Sequence, residues 1–320
     1  MRIGIIGCGN VGFNTALAFH RRGHHEVYGH DISKRQLRRF STHLPGRAVS
    51  RVADLKSCDA VFVCVPTDPR PDSGGADLSA VEDVVAELAA VIRSPGSRIS
   101  LVVQRSTCPP GTADALAALV EPAHYSVNPS FLSKRTQWED TDRPPRIAFS
   151  GSDEARALMR SAYLGFEDSP LFECADHKVM ELLKYTENAI DSVLISLWNE
   201  LLALSDGIGV TRRDFVALME RLPDRPRFGT CLRVPGQAFG NWCLPKDLAA
   251  LRESLETAGV PHGVVSGAIR TNHEMAEQHG VNGDFSGDLV TYREGRSRLT
   301  EHAVSRLLRS APEHLSREPG

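Results

Sequence analysis

The sequence contains no apolar run of bilayer length, no C-x-x-C pair and no sustained excess of either charge. A membrane-spanning helix needs about 20 predominantly apolar residues, so no membrane partner is expected. Acidic and basic residues are interspersed and sum to a net charge of −3, which leaves no electrostatic footprint for nucleic acid. The basic cluster from Arg35 to Arg39 reads as a solvated helix face. The cysteines (Cys8, Cys58, Cys64, Cys108, Cys174, Cys231 and Cys243) are odd in number and scattered. They build neither a disulfide framework nor a Cys/His ligand set, so no metal is expected and a reducing compartment fits. A strand pattern begins at residue 2, leaving no room for a signal peptide, and the cytoplasm is the expected location. What the chain has is length and apolar content. Its 320 residues, 41% hydrophobic, suffice for a large core and for two domains.

The chain opens with Arg2-Ile-Gly-Ile-Ile-Gly-Cys-Gly-Asn-Val-Gly12. Ile3 to Ile6 reads as a short buried strand, and Gly7, Gly9 and Gly12 follow it in G-x-G-x-x-G spacing. The first glycine allows a tight turn, and the second lets the backbone approach a pyrophosphate. The third lets the next helix pack close to the strand, so that its N-terminus, with Asn10 and Val11, faces the phosphates. A second strand from Glu26 to Gly29 leads to Asp31, 19 residues beyond Gly12. A carboxylate there accepts hydrogen bonds from a ribose 2′-OH and repels a 2′-phosphate. The expected cofactor is therefore NAD.

Short apolar runs alternate with helical patterns over residues 1–150. Ala60 to Val65 is a buried strand ending at Pro66-Thr67, and Ile99 to Val103 is another, ending at Ser106-Thr107. Between them, Leu78 to Ile92 has helical periodicity, with Leu78, Val81, Val84, Val85, Leu88 and Val91 on one side. Such alternation predicts an α/β fold of the Rossmann type, a doubly wound parallel sheet covered by helices. Ligands then gather at the carboxyl ends of strands, where Val65, Pro66, Thr67, Ser106 and Thr107 fall. Residues 151–280 read as a mainly helical domain around one long helix, Asp176 to Asp206, on the order of 45 Å in length. Its second half (Ile190, Val193, Leu194, Ile195, Leu197, Trp198, Leu201, Leu202) is apolar nearly all round, which predicts burial in a homodimer. Gly207 and Gly209 end it. Residues 281–320 read as a polar, partly disordered tail with one helix, Leu299 to Leu308.

A second chemical signal lies in Phe239-Gly-Asn-Trp-Cys-Leu-Pro-Lys-Asp247. It sets one thiol, Cys243, in a Gly240-containing turn ahead of a helix start, with Lys246 and Asp247 close behind. Lys184 and Asn188 are four apart on the long helix and share a face, where an ammonium and an amide donor can stabilise a developing oxyanion.

Together these motifs resemble the UDP-glucose/GDP-mannose dehydrogenase family over residues 1 to about 279. The resemblance runs in order through Gly7 to Gly12, Val63-Cys-Val-Pro-Thr67, Ser106-Thr-Cys-Pro-Pro-Gly-Thr112, Asn128-Pro-Ser-Phe-Leu132, Lys184-Tyr-Thr-Glu-Asn188, Asn199-Glu200 and Phe239 to Asp247. It implies oxidation of a sugar-nucleotide alcohol to an acid in two hydride transfers to NAD, through a thiohemiacetal and a thioester. By resemblance, Cys243 is the nucleophile, Asp247 a water-positioning or proton-handling carboxylate, and Lys184 with Asn188 the oxyanion site. Thr107 bonds catalytic water or substrate. Asn128, Ser130, Phe131, Leu132, Phe239 and Gly240 line the substrate.

Three departures from the pattern matter. Ser130 stands where the family has a glutamate that resembles the base for thioester hydrolysis, and Lys134 matches a second family glutamate. Asn241-Trp242 adds bulk beside the thiol. Family members usually continue into another α/β domain, which the polar stretch after Gln278 is not expected to build. These departures favour a single two-electron oxidation of a nucleotide-linked alcohol, on a nucleotide sugar or a nucleotide's ribose, in a specialised pathway such as nucleoside biosynthesis. The full four-electron conversion to a uronic acid through Cys243 is the alternative, and a non-catalytic NAD sensor is a third reading.

Overall fold

The computed structural model describes residues 1–133, 135–207, 209–221, 238–239, 244–257 and 262–278. The chain divides into two compact units, Met1–Tyr185 and Thr186–Gly320. In the first, β1 (Arg2–Ile6), α1 (Asn10–Arg21), β2 (Glu26–His30), α2 (Lys34–His43), β3 (Ala60–Val63), α3 (Ser79–Ile92), β4 (Leu101–Gln104), α4 (Thr112–Ala117) and β5 (His124–Val127) follow one another. Then come α5 (Gln137–Asp142), β6 (Ile147–Ser150), α6 (Asp153–Ala162) and β7 (Leu171–Cys174).

Five strands pair in parallel in the order β2-β1-β3-β4-β5. Their runs of Val, Ile and Leu suit burial on both faces, and every residue of β3 and β4 is buried. The pleat divides those side chains between two cores. Val61 and Val63 join Val81, Val85, Leu88 and Val102 on one face, while Phe62 joins Ile3, Ile5, Phe13 and Phe19 on the other. Strand order reverses between β1 and β3, so the crevice for a ligand opens at the carboxyl ends of these strands.

The domain boundary expected at residue 150 falls inside the first unit. β6 and β7 form a small parallel sheet of their own, and Phe149, Ala155, Met159, Ala162 and Phe166 join the core built by α1 and β1. That shared core holds the stretch from β6 to β7 in the first unit, and the division comes later, at Tyr185.

The long helix is α7 (His177–Gly207), 31 residues, beginning in the first unit and continuing into the second. It stops at Gly207, and Gly209 takes a positive φ of 79°. The second unit continues with α8 (Arg212–Arg221), α9 (Leu244–Thr257) and α10 (Gly263–Gln278). Ile195, Phe239, Leu248 and Ala268 form its core. Ser192 and Ser196, buried on α7, donate to carbonyls one turn back at 2.7 and 2.9 Å, so their hydroxyls need no outside partner. The side chains of Leu197, Trp198 and Leu201, the expected helix Leu299–Leu308 and the whole 281–320 tail lie outside the described residues. Among those residues no helix is long and apolar enough to cross a membrane.

Candidate active site

The glycine-rich turn joins β1 to α1. Gly7 has φ 89°, and a Cβ there would lie 2.5 Å from the carbonyl oxygen of Cys64. Its N–H donates to the His30 carbonyl at 2.9 Å, which ties the turn to the end of β2. At Gly12 an added Cβ would stand 2.0 Å from the Gly7 carbonyl, so only glycine lets α1 come this close. At Gly9 it would meet nothing within 4 Å. The open space there leaves the N-terminus of α1, with exposed Asn10 and half-buried Val11, facing solvent. Asp31 follows β2, and its two carboxylate oxygens accept from Cys8 N and Ser33 N, both at 2.7 Å.

The loops after β3 and β4 are laced together beside this turn. Ser106 Oγ donates to the Val65 carbonyl at 2.7 Å, and Thr67 Oγ1 donates to the Thr107 carbonyl at 2.8 Å. Thr67 and Ser106 are buried, Val65 and Thr107 half-buried, and Pro66 exposed. The N-cap of α4 is Gly111, so Thr107 caps no helix.

Asn128 is 1% exposed and its amide is wholly engaged inside the first unit. It donates to the Ala148 carbonyl at 2.7 Å and accepts from Tyr163 Oη at 2.7 Å and from Arg105 Nη1. This joins β5 to β6 and fixes the exit of the chain toward Ser130, Phe131 and Leu132, all half-buried. The Phe131 ring carries two cations, the Arg146 guanidinium 4.0 Å and the Lys184 ammonium 5.7 Å from its centroid. Lys184 itself is buried.

In the second unit, Asn188 and Asp247 come together. The Asn188 amide donates to Asp247 Oδ2, and the Lys246 ammonium pairs with Asp247 Oδ1. Asp247 is 2% exposed and sits in the first turn of α9 with Pro245, as the sequence predicts. Asn272 on α10 holds the backbone of Phe239 from both sides, accepting from its N–H at 2.5 Å and donating to its carbonyl at 2.9 Å. Gly240, Cys243 and Lys134 lie outside the described residues; α9 begins at the residue after Cys243.

Residues 47–167 match the model of the UDP-glucose/GDP-mannose dehydrogenase family, NAD binding domain, and residues 178–274 match that family's central domain. Residues 2–73 also match a model described as NADP oxidoreductase coenzyme F420-dependent. The chain belongs to the UDP-glucose/GDP-mannose dehydrogenase family. It is 29% identical to the UDP-glucose 6-dehydrogenase of Rhizobium meliloti (strain 1021), over 91% of this chain and 73% of that protein. To the GDP-mannose 6-dehydrogenase of Pseudomonas aeruginosa it is 28% identical, over 92% and 72%. The solved UDP-glucose dehydrogenase of Pyrobaculum islandicum matches with a TM-score of 0.75 at 27% identity, covering 87% of this chain and 71% of that one.

The chain is thus an NAD-dependent dehydrogenase that acts on a CH–OH group. The turn at Gly9 fits the cofactor, because its open space admits a pyrophosphate at the start of α1. Two positions of this dehydrogenase are not foreshadowed by its motifs. Asn272 is one, and Glu181 is the other, 2% exposed on α7 one turn before Lys184. An acid or amide inside a helix with an apolar face is the signal available for both, since a buried polar group needs partners.

Proposed function

We propose that this dehydrogenase oxidises an alcohol of a nucleotide-linked substrate once, by two electrons, and releases a ketone or aldehyde. NAD supplies the hydride acceptor. At the reacting carbon a C–H bond breaks with its electron pair, and the hydroxyl proton leaves to solvent. The Lys184 ammonium stabilises the alkoxide from which the hydride departs, and its cation–π contact with Phe131 orients it. Thr107 bonds the substrate oxygen from the loop after β4. Asn188 and Asp247 are bonded to each other beside Lys246, which keeps the amide and the carboxylate aimed. The observation that carries the single oxidation is Ser130. A neutral hydroxyl there takes no proton from water near pH 7, so hydrolysis of a thioester lacks its base at that position.

The four-electron route to a uronic acid is the second reading, and Cys243 favours it. Lys246, three residues further along the sequence, is a cation of the kind that favours a thiolate. Burial drives the other way at Cys8, Cys58 and Cys64, raising Cys58 and Cys64 to about 12. Mass spectrometry of enzyme quenched during turnover separates the readings: a substrate adduct on Cys243 belongs to the thioester route alone. Lys184→Ala should abolish turnover and leave NAD binding intact. A variant turning over at the normal rate would remove Lys184 from the chemistry. We place the enzyme in the cytoplasm, in a specialised pathway such as nucleoside biosynthesis. We assign it a homodimer through the apolar second half of α7.

A further inference from the structure

Glu181 holds both ends of the loop that follows β4. At the near end, Gln104 Nε2, on the last residue of β4, donates to Oε1 at 3.1 Å. At the far end, the N–H of Ala113 donates to Oε1 at 2.9 Å and the N–H of Gly111 to Oε2 at 2.6 Å. Ser106 and Thr107 lie between these two anchorages. Gln104 is itself fixed, because Tyr125 Oη donates to its Oε1 at 3.0 Å. A second tie between the same helices, Lys178 with Asp114, sits at the surface. Exposed ion pairs contribute about 0–1 kcal/mol, so the interior carboxylate is the stronger fastening.

Taking a carboxylate out of water costs several kcal/mol unless hydrogen bonds replace the lost hydration. Three donors converge here, two of them backbone N–H groups whose positions are set by the turn into α4. Bonds to an ionised acceptor are shorter and about twice as strong as neutral ones. The acceptor rides on α7, three residues before Lys184, so the loop and the lysine share one rigid support.

We propose that Glu181 is a positioning residue for hydride transfer: its carboxylate sets the Ser106–Thr107 loop against Lys184, one turn further along α7. The inference rests on the reading of Thr107 and Lys184 as groups that meet the reacting alcohol. Burial pushes the Glu181 carboxyl up to about 7, against its three hydrogen bonds, and Asp114 of α4 adds to the rise. Among the described residues, Tyr125 of β5, which burial holds well above its ordinary value, and Lys178 of α7, which Asp114 raises, also interact with it. All three partners of Glu181 are donors, so a proton on it displaces one of them and loosens the loop. Positioning then fails as pH falls through about 7.

The test compares wild type with Glu181→Gln and Glu181→Ala. Hydrogen–deuterium exchange at Gly111 and Ala113 reads the fastening without any turnover. Both amides should lose protection in each variant, and in wild type their protection, taken relative to the intrinsic exchange rate at each pH, should be lower below pH 7 than above it. With a substrate in hand, Glu181→Gln should lower kcat by roughly 10- to 100-fold while KM for NAD changes less than about 3-fold, and the acid limb of kcat near pH 7 should vanish. Unchanged exchange, or a normal kcat that keeps its acid limb, would overturn the proposal. So would a loss of kcat matched by an equal loss of NAD affinity and of helical circular dichroism. Should Glu181→Ala fail to fold, the isosteric Gln variant still decides. Wild type that forms no NADH with any nucleotide-linked alcohol would defeat the functional reading instead, and the exchange data would stand apart from it.

Discussion

Gly9 and Gly12 stand three residues apart and differ in what a side chain would meet. At Gly9 a Cβ meets nothing of the protein, so only a bound dinucleotide would oppose it; at Gly12 it meets the Gly7 carbonyl at 2.0 Å. Gly9→Ala should therefore leave the melting temperature unchanged and weaken NAD by about tenfold or more, roughly 1.4 kcal/mol. Gly12→Ala should destabilise the fold itself by about 1–3 kcal/mol, read by urea unfolding. If Gly9→Ala kept full NAD affinity, the dinucleotide would lie elsewhere. Asp31→Ala should weaken NAD by roughly 1–3 kcal/mol and relax discrimination against NADP; unchanged affinity in a calorimetric titration would show that Asp31 does not meet the ribose. The turn at Gly7 to Gly12 and the place of Asp31 after β2 were legible because glycine spacing and an acid after a strand are local properties of a βαβ opening. The bond from Cys8 to Asp31 was not, since it depends on how β1 and β2 align.

Elements were read well where the apolar period was unbroken. The sequence predicts β1, β3 and β4 as buried runs, the face of α3 and the extent of α7, and the structure has all of them. Residue 150, the expected boundary, lies inside the first unit because β6 and α6 bury their apolar faces in a core that residues far upstream supply. Glu181 and Asn272 escaped notice for a related reason. A charged or amide side chain on a helix looks like a solvated group until its partners are known, and those of Glu181 are some 70 residues away. Glu181 also carries a pH signature in stability. Its carboxyl is raised by burial from 4.5 to about 7 in the folded protein, so the folded state holds its proton more tightly than the unfolded chain. Its contribution is then fully present below about pH 4.5 and is lost as pH rises through about 7. The melting temperature of wild type should fall relative to that of Glu181→Gln between pH 4.5 and pH 8. Parallel curves for the two proteins would show that the carboxyl does not titrate there.

At the scale of the whole molecule, two units built on different principles share one helix. The first is built on a parallel sheet and matches an NAD binding domain; the second, as described, is helical and carries Asn188 and Asp247. Family and cofactor were legible because their motifs recur in order along the chain. Substrate and electron count were not, because they turn on a few positions, above all Ser130 and Cys243, whose meaning depends on what a bound substrate presents to them. The most direct test is the NADH formed per molecule of substrate consumed, followed at the NADH absorbance band across a panel of nucleotide sugars and free nucleotides. The account predicts one NADH per substrate, with a ketone or aldehyde as product. Two NADH per substrate, with release of a uronic acid, would contradict it.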